Sequence, residues 1–182
     1  MTNHSTLRRL SGCVAATIAV ATLSSGLTSS RADEPPIPVV TATAASSSHA
    51  VGDTFDVDAT IADGRDVASI RFTLVWDPAV LRLVPPAEEG PFMRGDGAVT
   101  AFTAADAASG EGLDVGIKRT PDEPGSAVSG ASGSATLASF RFEALAEGSS
   151  PIRFRNVAVE NPFGVTVQVR FRAGRVEVGQ RK

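Results

Sequence analysis

Residues Val67 to Met93 read VASIRFTLVWDPAVLRLVPPAEEGPFM, and the phase of this stretch decides the fold class. Ile70, Phe72, Leu74 and Trp76 alternate with Ser69, Arg71, Thr73 and Val75. Side chains two apart lie on the same side of a strand, so the first set forms a buried face and the second points away from it. Asp77-Pro78 ends the strand: proline fixes a turn dihedral and has no N–H for a ladder, and aspartate can bond the backbone ahead of it. Val80, Leu81 and Leu83 return the chain to the core at once, and Glu88-Glu89-Gly90-Pro91-Phe92 turns it again.

The rest of the chain repeats this pattern. Val39 to Ala45 is an expected strand. From Thr54 to Ile61, Phe55, Val57, Ala59 and Ile61 face inward and Asp56 and Asp58 outward, with a turn expected at Asp63-Gly64. Further strands are expected at 99–103 and 113–118, joined by a small, polar segment with at most a single helical turn. Residues 120–134 are a loop rich in glycine, serine and proline. Ala135 to Leu145 sets Ala138, Phe140 and Phe142 against Ser139, Arg141 and Glu143. Pro151 to Asn156 and Thr166 to Val178 alternate again. Many short alternating strands with glycine and proline turns and almost no helical period predict an all-β sandwich.

The N-terminus has a different character. Arg8 and Arg9 precede an uncharged apolar run, Cys13 to Leu23, and Ser30-Arg31-Ala32 offers small residues at the −3 and −1 positions of a cleavage site. Such a run is too short to span a membrane and has the layout of a secretory signal. The expected organisation is a signal peptide over 1–32, a polar lead over 33–38, one domain over 39–178 and a tail over 179–182. Cys13 is the chain's one cysteine and lies within the expected signal, so the domain must hold without disulfides. The expected location is secreted or periplasmic, with no membrane insertion after cleavage.

Charge narrows the partner classes. The formal net charge is −3, and loss of Arg8, Arg9 and Arg31 takes it to −6. Residues 33–150 hold 7 basic and 18 acidic side chains, whereas residues 151–182 hold 7 basic and 2 acidic. A domain this acidic overall is no nucleic-acid binder. Arg153, Arg155, Arg170 and Arg172 would form a basic stripe if their strands were neighbours.

Catalytic and metal chemistry find little support. His49 is the one histidine beyond the expected signal, too few for a triad or a histidine-rich metal site. Asp56 and Asp58 sit roughly 6.5 to 7 Å apart along one strand face, near the carboxylate spacing of inverting glycosidases, but any exposed i, i+2 pair has that spacing. Neither Asp63-Gly64 nor Asp96-Gly97 lies in a calcium-loop pattern, and Arg94-Gly95-Asp96 reads as a chance turn. No cofactor, metal ligand or catalytic residue is expected.

The strand, Asp-Pro corner, short strand and Glu-Gly-Pro-Phe turn resemble the core of a cohesin domain, a non-catalytic module that binds dockerins in cellulosome-type assemblies. Val51-Gly52-Asp53-Thr54-Phe55 looks like the family's second-strand opening, and Gly133 to Phe142 (GSATLASFRF) like its late strand. The resemblance spans roughly residues 37 to 178. It implies a jelly-roll sandwich of about nine strands and a protein partner, dockerin-like or other, docked on one sheet face. The matching outward positions are Ser69, Arg71 and Thr73, then Ser139, Arg141 and Glu143. Cellulosomal members carry an asparagine and an aspartate where this chain has Ser69 and Arg71, which reverses a charge. The family is also related in structure to carbohydrate-binding modules, so the alternative function is polysaccharide binding in polysaccharide catabolism. That needs a row of exposed aromatics. With no tyrosine, one tryptophan and nine phenylalanines, most of them in inward phase, only Phe92, Phe102 and Phe163 are left as candidates.

Overall fold

A computed structural model describes residues 36–108, 110 and 112–180. The expected signal peptide lies outside the described residues. Eleven strands follow in order: β1 (Val39–Ala44), β2 (Ser48–Ala50), β3 (Thr54–Val67), β4 (Ser69–Val75), β5 (Leu81–Glu89), β6 (Thr100–Asp106), β7 (Leu113–Arg119), β8 (Ala131–Ala144), β9 (Gly148–Glu160), β10 (Arg170–Arg172) and β11 (Gly174–Gly179). They form a five-stranded sheet, β10-β1-β3-β8-β5, and a six-stranded sheet, β2-β11-β9-β4-β7-β6. The pairs β1–β10 and β11–β2 are parallel, and the other pairs are antiparallel. This is the all-β sandwich that the alternation predicts, with eleven strands rather than about nine.

The inward residues build one core. Val40, Ile61, Ile70, Phe72, Leu74, Leu81, Leu137, Phe140, Phe142 and Ile152 are fully buried. Phe72 meets Phe140 of the other sheet edge to face at 6.5 Å, which bridges the two sheets, and Phe154 on the neighbouring strand of its own sheet at 5.2 Å. Trp76 is half-buried at the rim of this core. Its ring stands edge-on to Phe142 at 5.1 Å, and its indole N–H donates to the Leu81 carbonyl at 3.1 Å.

Three expectations about local structure change. The Asp63-Gly64 turn is an irregularity inside β3, which runs on to Val67. Asp63 and Asp66 take positive φ there, and their N–H groups donate to the hydroxyls of Ser134 and Ser132, so the ladder with β8 continues past the kinks. Among the described residues between β6 and β7 none is helical, and the connection is closed by bonds from Ala107 N to Gly112 O and from Gly110 N to Ala107 O. The expected strand 166–178 divides into β10 and β11, which belong to different sheets. At the crossing, a Cβ on Gly174 would lie 2.4 Å from the Ala42 carbonyl oxygen, so only glycine fits this approach of two backbones.

Candidate docking face

The structure separates the six residues that the sequence puts on one face. β4 lies in the six-stranded sheet and β8 in the five-stranded sheet. Ser69, Arg71 and Thr73 therefore point out of one side of the sandwich, and Ser139, Arg141 and Glu143 out of the other. Alternation tells inward from outward, but it does not say which sheet a strand joins. Arg153 and Arg155 on β9 are likewise divided from Arg170 and Arg172 on β10, so the basic stripe does not form.

On the five-stranded side the outward groups are already engaged. Arg141 makes two parallel bonds to Asp56, Nε–Oδ1 at 2.9 Å and Nη2–Oδ2 at 3.2 Å. This hydrogen bonding holds the Arg141 guanidinium above its ordinary pKa. The Ser139 hydroxyl donates to Asp58, and Glu143 pairs with Arg82. Asp56 and Asp58, the two carboxylates at glycosidase-like spacing, are thus spent on cross-strand partners.

The six-stranded side differs. Thr73 points outward yet is only 3% exposed. Its hydroxyl donates to Asp114 Oδ1 at 2.6 Å and accepts from Asn156 Nδ2 at 3.1 Å. It ties β7, β4 and β9 together and offers a partner little surface. Asn156 reaches it from an irregularity in β9, at positive φ, where the pairing shifts between Arg71–Ala158 and Thr73–Arg155. Arg71 is the prominent group. Its side chain is 65% exposed, and its one ion pair among the described residues, to Glu160 Oε1, spans 3.8 Å. An exposed pair of that length contributes little, so the guanidinium can exchange it for another carboxylate.

Arg71 stands over a floor of small residues. Its Cα partners are Gly116 on β7 and Ala158 on β9, and Thr103 and Ala101 lie one strand further out. Two adjoining shallow depressions, about 490 and 360 Å3, share Arg71, Thr103 and Gly116. Ser69 opens on the second, between Lys118 and Glu160 in register. Sequence reading missed Asp114, Gly116, Lys118 and Glu160. Their outward phase is legible, but their adjacency to Arg71 depends on β4 lying between β7 and β9.

The aromatics give no stacking row. Phe92 is buried, Phe102 is half-buried, and Phe163 is the one largely exposed aromatic side chain, at 86%. Phe163 stands alone on a turn whose Asn161 side chain accepts from Phe163 N and Val165 N. His49, on β2, stacks on Phe55 at 3.7 Å. Among the described residues no three His, Cys, Asp or Glu side chains gather to hold a metal, and no helix is long and apolar enough to cross a membrane.

Comparison with solved structures returns the same architecture. A non-cellulosomal cohesin from the archaeon Archaeoglobus fulgidus is 18% identical, with a TM-score of 0.61 over 80% of this chain and 93% of that one. A type II cohesin domain from the cellulosome of Acetivibrio cellulolyticus is 15% identical, with a TM-score of 0.65 over 78% and 95%. A type I cohesin–dockerin complex from Clostridium thermocellum matches with 13% identity and a TM-score of 0.64 over 80% and 95%. No curated protein matches the chain in sequence. The family model described as "Cohesin domain" matches residues 39–166. A family match over more than half of the chain, on a sandwich shared with solved cohesins, makes this protein a member of the cohesin family of non-catalytic binding modules.

Proposed function

We propose that this chain is an exported module that docks a dockerin-type protein through the outer face of β9-β4-β7-β6. The observation that carries the reading is Arg71, exposed and weakly paired above a floor of glycine, alanine and threonine. A flat floor admits a partner's backbone closely, and a guanidinium can fork onto a carboxylate or lie flat on a neighbour. The solved type I complex, in which a similar sandwich holds a dockerin, supports the partner class. Ser69 and Arg71 belong to this face. Ser139, Arg141 and Glu143, expected on the same face, lie on the opposite sheet among partners of their own. The lone Phe163 gives the polysaccharide alternative no stacking platform. With Arg71 where the resemblance places an aspartate in cellulosomal members, the partner surface is more acidic than that of a cellulosomal dockerin.

Affinity capture on the immobilised domain, followed by titration calorimetry with the captured partner, tests this reading. Arg71→Glu weakens binding by at least about tenfold, roughly 1.4 kcal/mol, and Arg141→Glu leaves affinity unchanged. Loss with Arg141→Glu and not with Arg71→Glu would move docking to the five-stranded side. The export half of the proposal expects the secreted chain to begin near Asp33, which N-terminal sequencing reads directly.

A further inference from the structure

We infer that the free edge of β6, with the cleft beside it, is a second binding site, one that takes an extended peptide of alternating apolar residues as an added strand. The inference does not depend on the docking face. The two sheets do not end together. Ala104 sits in the inward phase of β6, opposite Val115, and yet it is exposed. Nothing on the five-stranded sheet covers it, because that sheet ends at β5. The gap is a cleft of about 1000 Å3, walled by Trp76, Leu83 and Pro85 on one side and by Ala104, Ala105 and Leu113 on the other.

The edge itself is lightly defended. Sheets usually protect terminal strands with prolines, inward charges, bulges or brevity. β5 carries Pro85 and Pro86 and a pairing irregularity, and β10 and β2 are three residues each. β6 is seven residues long, TAFTAAD, without proline and in unbroken register with β7, and its one inward-phase charge is Asp106, opposite Leu113 at the very end of the strand. A strand presents alternate N–H and C=O groups on each side, and among the described residues no strand pairs with the outer side of β6.

The cleft also selects its occupant. A strand paired to β6 sends every second side chain into the gap, against Trp76, Leu83 and Leu113. A second copy of this chain pairing through its own β6 brings only Ala104 and Asp106 in that phase, since its Phe102 is packed against its own core, and so leaves most of the gap empty. A segment with both faces free fills it. The exposed carboxylate of Asp106, with the half-buried Asp77 on the other side of the cleft, favours a peptide with basic ends. The occupant is therefore an extended peptide, apolar at alternate positions and basic at its ends.

Trp76, the one tryptophan in the chain, is the built-in reporter. The probe is the synthetic peptide acetyl-Lys-Val-Thr-Val-Thr-Val-Lys-amide, titrated into the intact protein while tryptophan emission is followed. The expected result is a saturable emission shift. Serine at the three valine positions weakens binding by at least about tenfold, and N-methylation along the pairing edge of the peptide abolishes saturation up to about 1 mM. Ala104→Glu, at an exposed position, keeps the circular dichroism and melting temperature of the wild type and loses the emission change. No saturable change with the parent peptide, or equal affinity for the N-methylated one, overturns the site. So does a concentration-dependent dimer that Ala104→Glu abolishes, since it assigns the edge to a second copy.

Discussion

Arg119 is the most deeply buried charge among the described residues. It is 2% exposed and ends β7 in the same inward phase as Leu113, Val115 and Ile117. Its guanidinium donates to Asp96 at 2.8 Å and to the carbonyl and hydroxyl of Ser129 at 3.3 and 3.2 Å, so one side chain fastens the β5–β6 and β7–β8 loops. Asp96, in the Arg-Gly-Asp turn, thereby acquires a structural partner. The hydrogen bond from Arg119 holds its carboxyl below the usual carboxylate range. A carboxyl depressed in the folded state stabilises fully above its unfolded pKa of about 3.9, and the contribution is lost as pH falls through the folded value. Wild type should therefore exceed Asp96→Asn in stability at pH 7, with the margin shrinking below about pH 4. Urea midpoints at pH 7 and pH 3 measure it, and a constant margin would exclude the linkage. Trp76 makes a related point about depth. Its phase with Phe72 and Leu74 was legible, but its half-burial was not, because alternation names the face and the cleft beside β6 sets the exposure. Phe140→Ala, in the closed core, should cost about 3 to 5 kcal/mol. Trp76→Ala should cost less, because part of its surface already meets solvent, and Arg71→Ala under about 0.5 kcal/mol. Denaturant unfolding ranks the three.

At the scale of elements, the late region was legible in phase but not in continuity. Val167, Val169 and Phe171 do pack against the core as their alternation predicts. The chain nevertheless leaves one sheet after Arg172 and joins the other at Gly174. An alternating pattern carries no mark of such a switch, since both sheets need the same inward residues. The one local signal is the glycine. Gly174→Ala must displace the Ala42 carbonyl, 2.4 Å from the new Cβ, and should cost about 1 to 3 kcal/mol, the usual range for overpacking. Gly179, near the end of the same strand, has open space around a built Cβ, so Gly179→Ala should change stability by less than about 0.5 kcal/mol. Similar losses for both would mean that the close approach at Gly174 does not govern the crossing. The Asp63-Gly64 pair failed as a turn signal for a comparable reason. Aspartate and glycine supply positive φ equally well to a hairpin or to a kink within a strand, and here Ser132 and Ser134 on β8 determine which.

At the scale of the molecule, the decisive fact is the assignment of strands to sheets, which long-range pairing fixes and local pattern cannot. It turns one imagined binding face into two surfaces of different character. On the five-stranded side, Arg141 with Asp56, Ser139 with Asp58 and Arg82 with Glu143 bind one another. On the six-stranded side, Arg71 is held by one long pair above small residues. The division can be measured as a distance. In a Cys13→Ser background, spin labels at Arg71→Cys and Lys118→Cys sit on neighbouring strands of one face, with backbones roughly 7 to 8 Å apart for a diagonal pair. Labels at Arg71→Cys and Arg141→Cys leave sheets stacked about 10 Å apart and extend in opposite directions, so they should lie roughly 20 to 30 Å from each other. Pulsed dipolar spectroscopy resolves the second range, and continuous-wave broadening reports the first. Strong broadening for the Arg71–Arg141 pair would return β8 to the same face as β4, and Ser139, Arg141 and Glu143 to the docking surface. A long distance keeps the partner on β9-β4-β7-β6, where Arg71 has exposure and room to engage it.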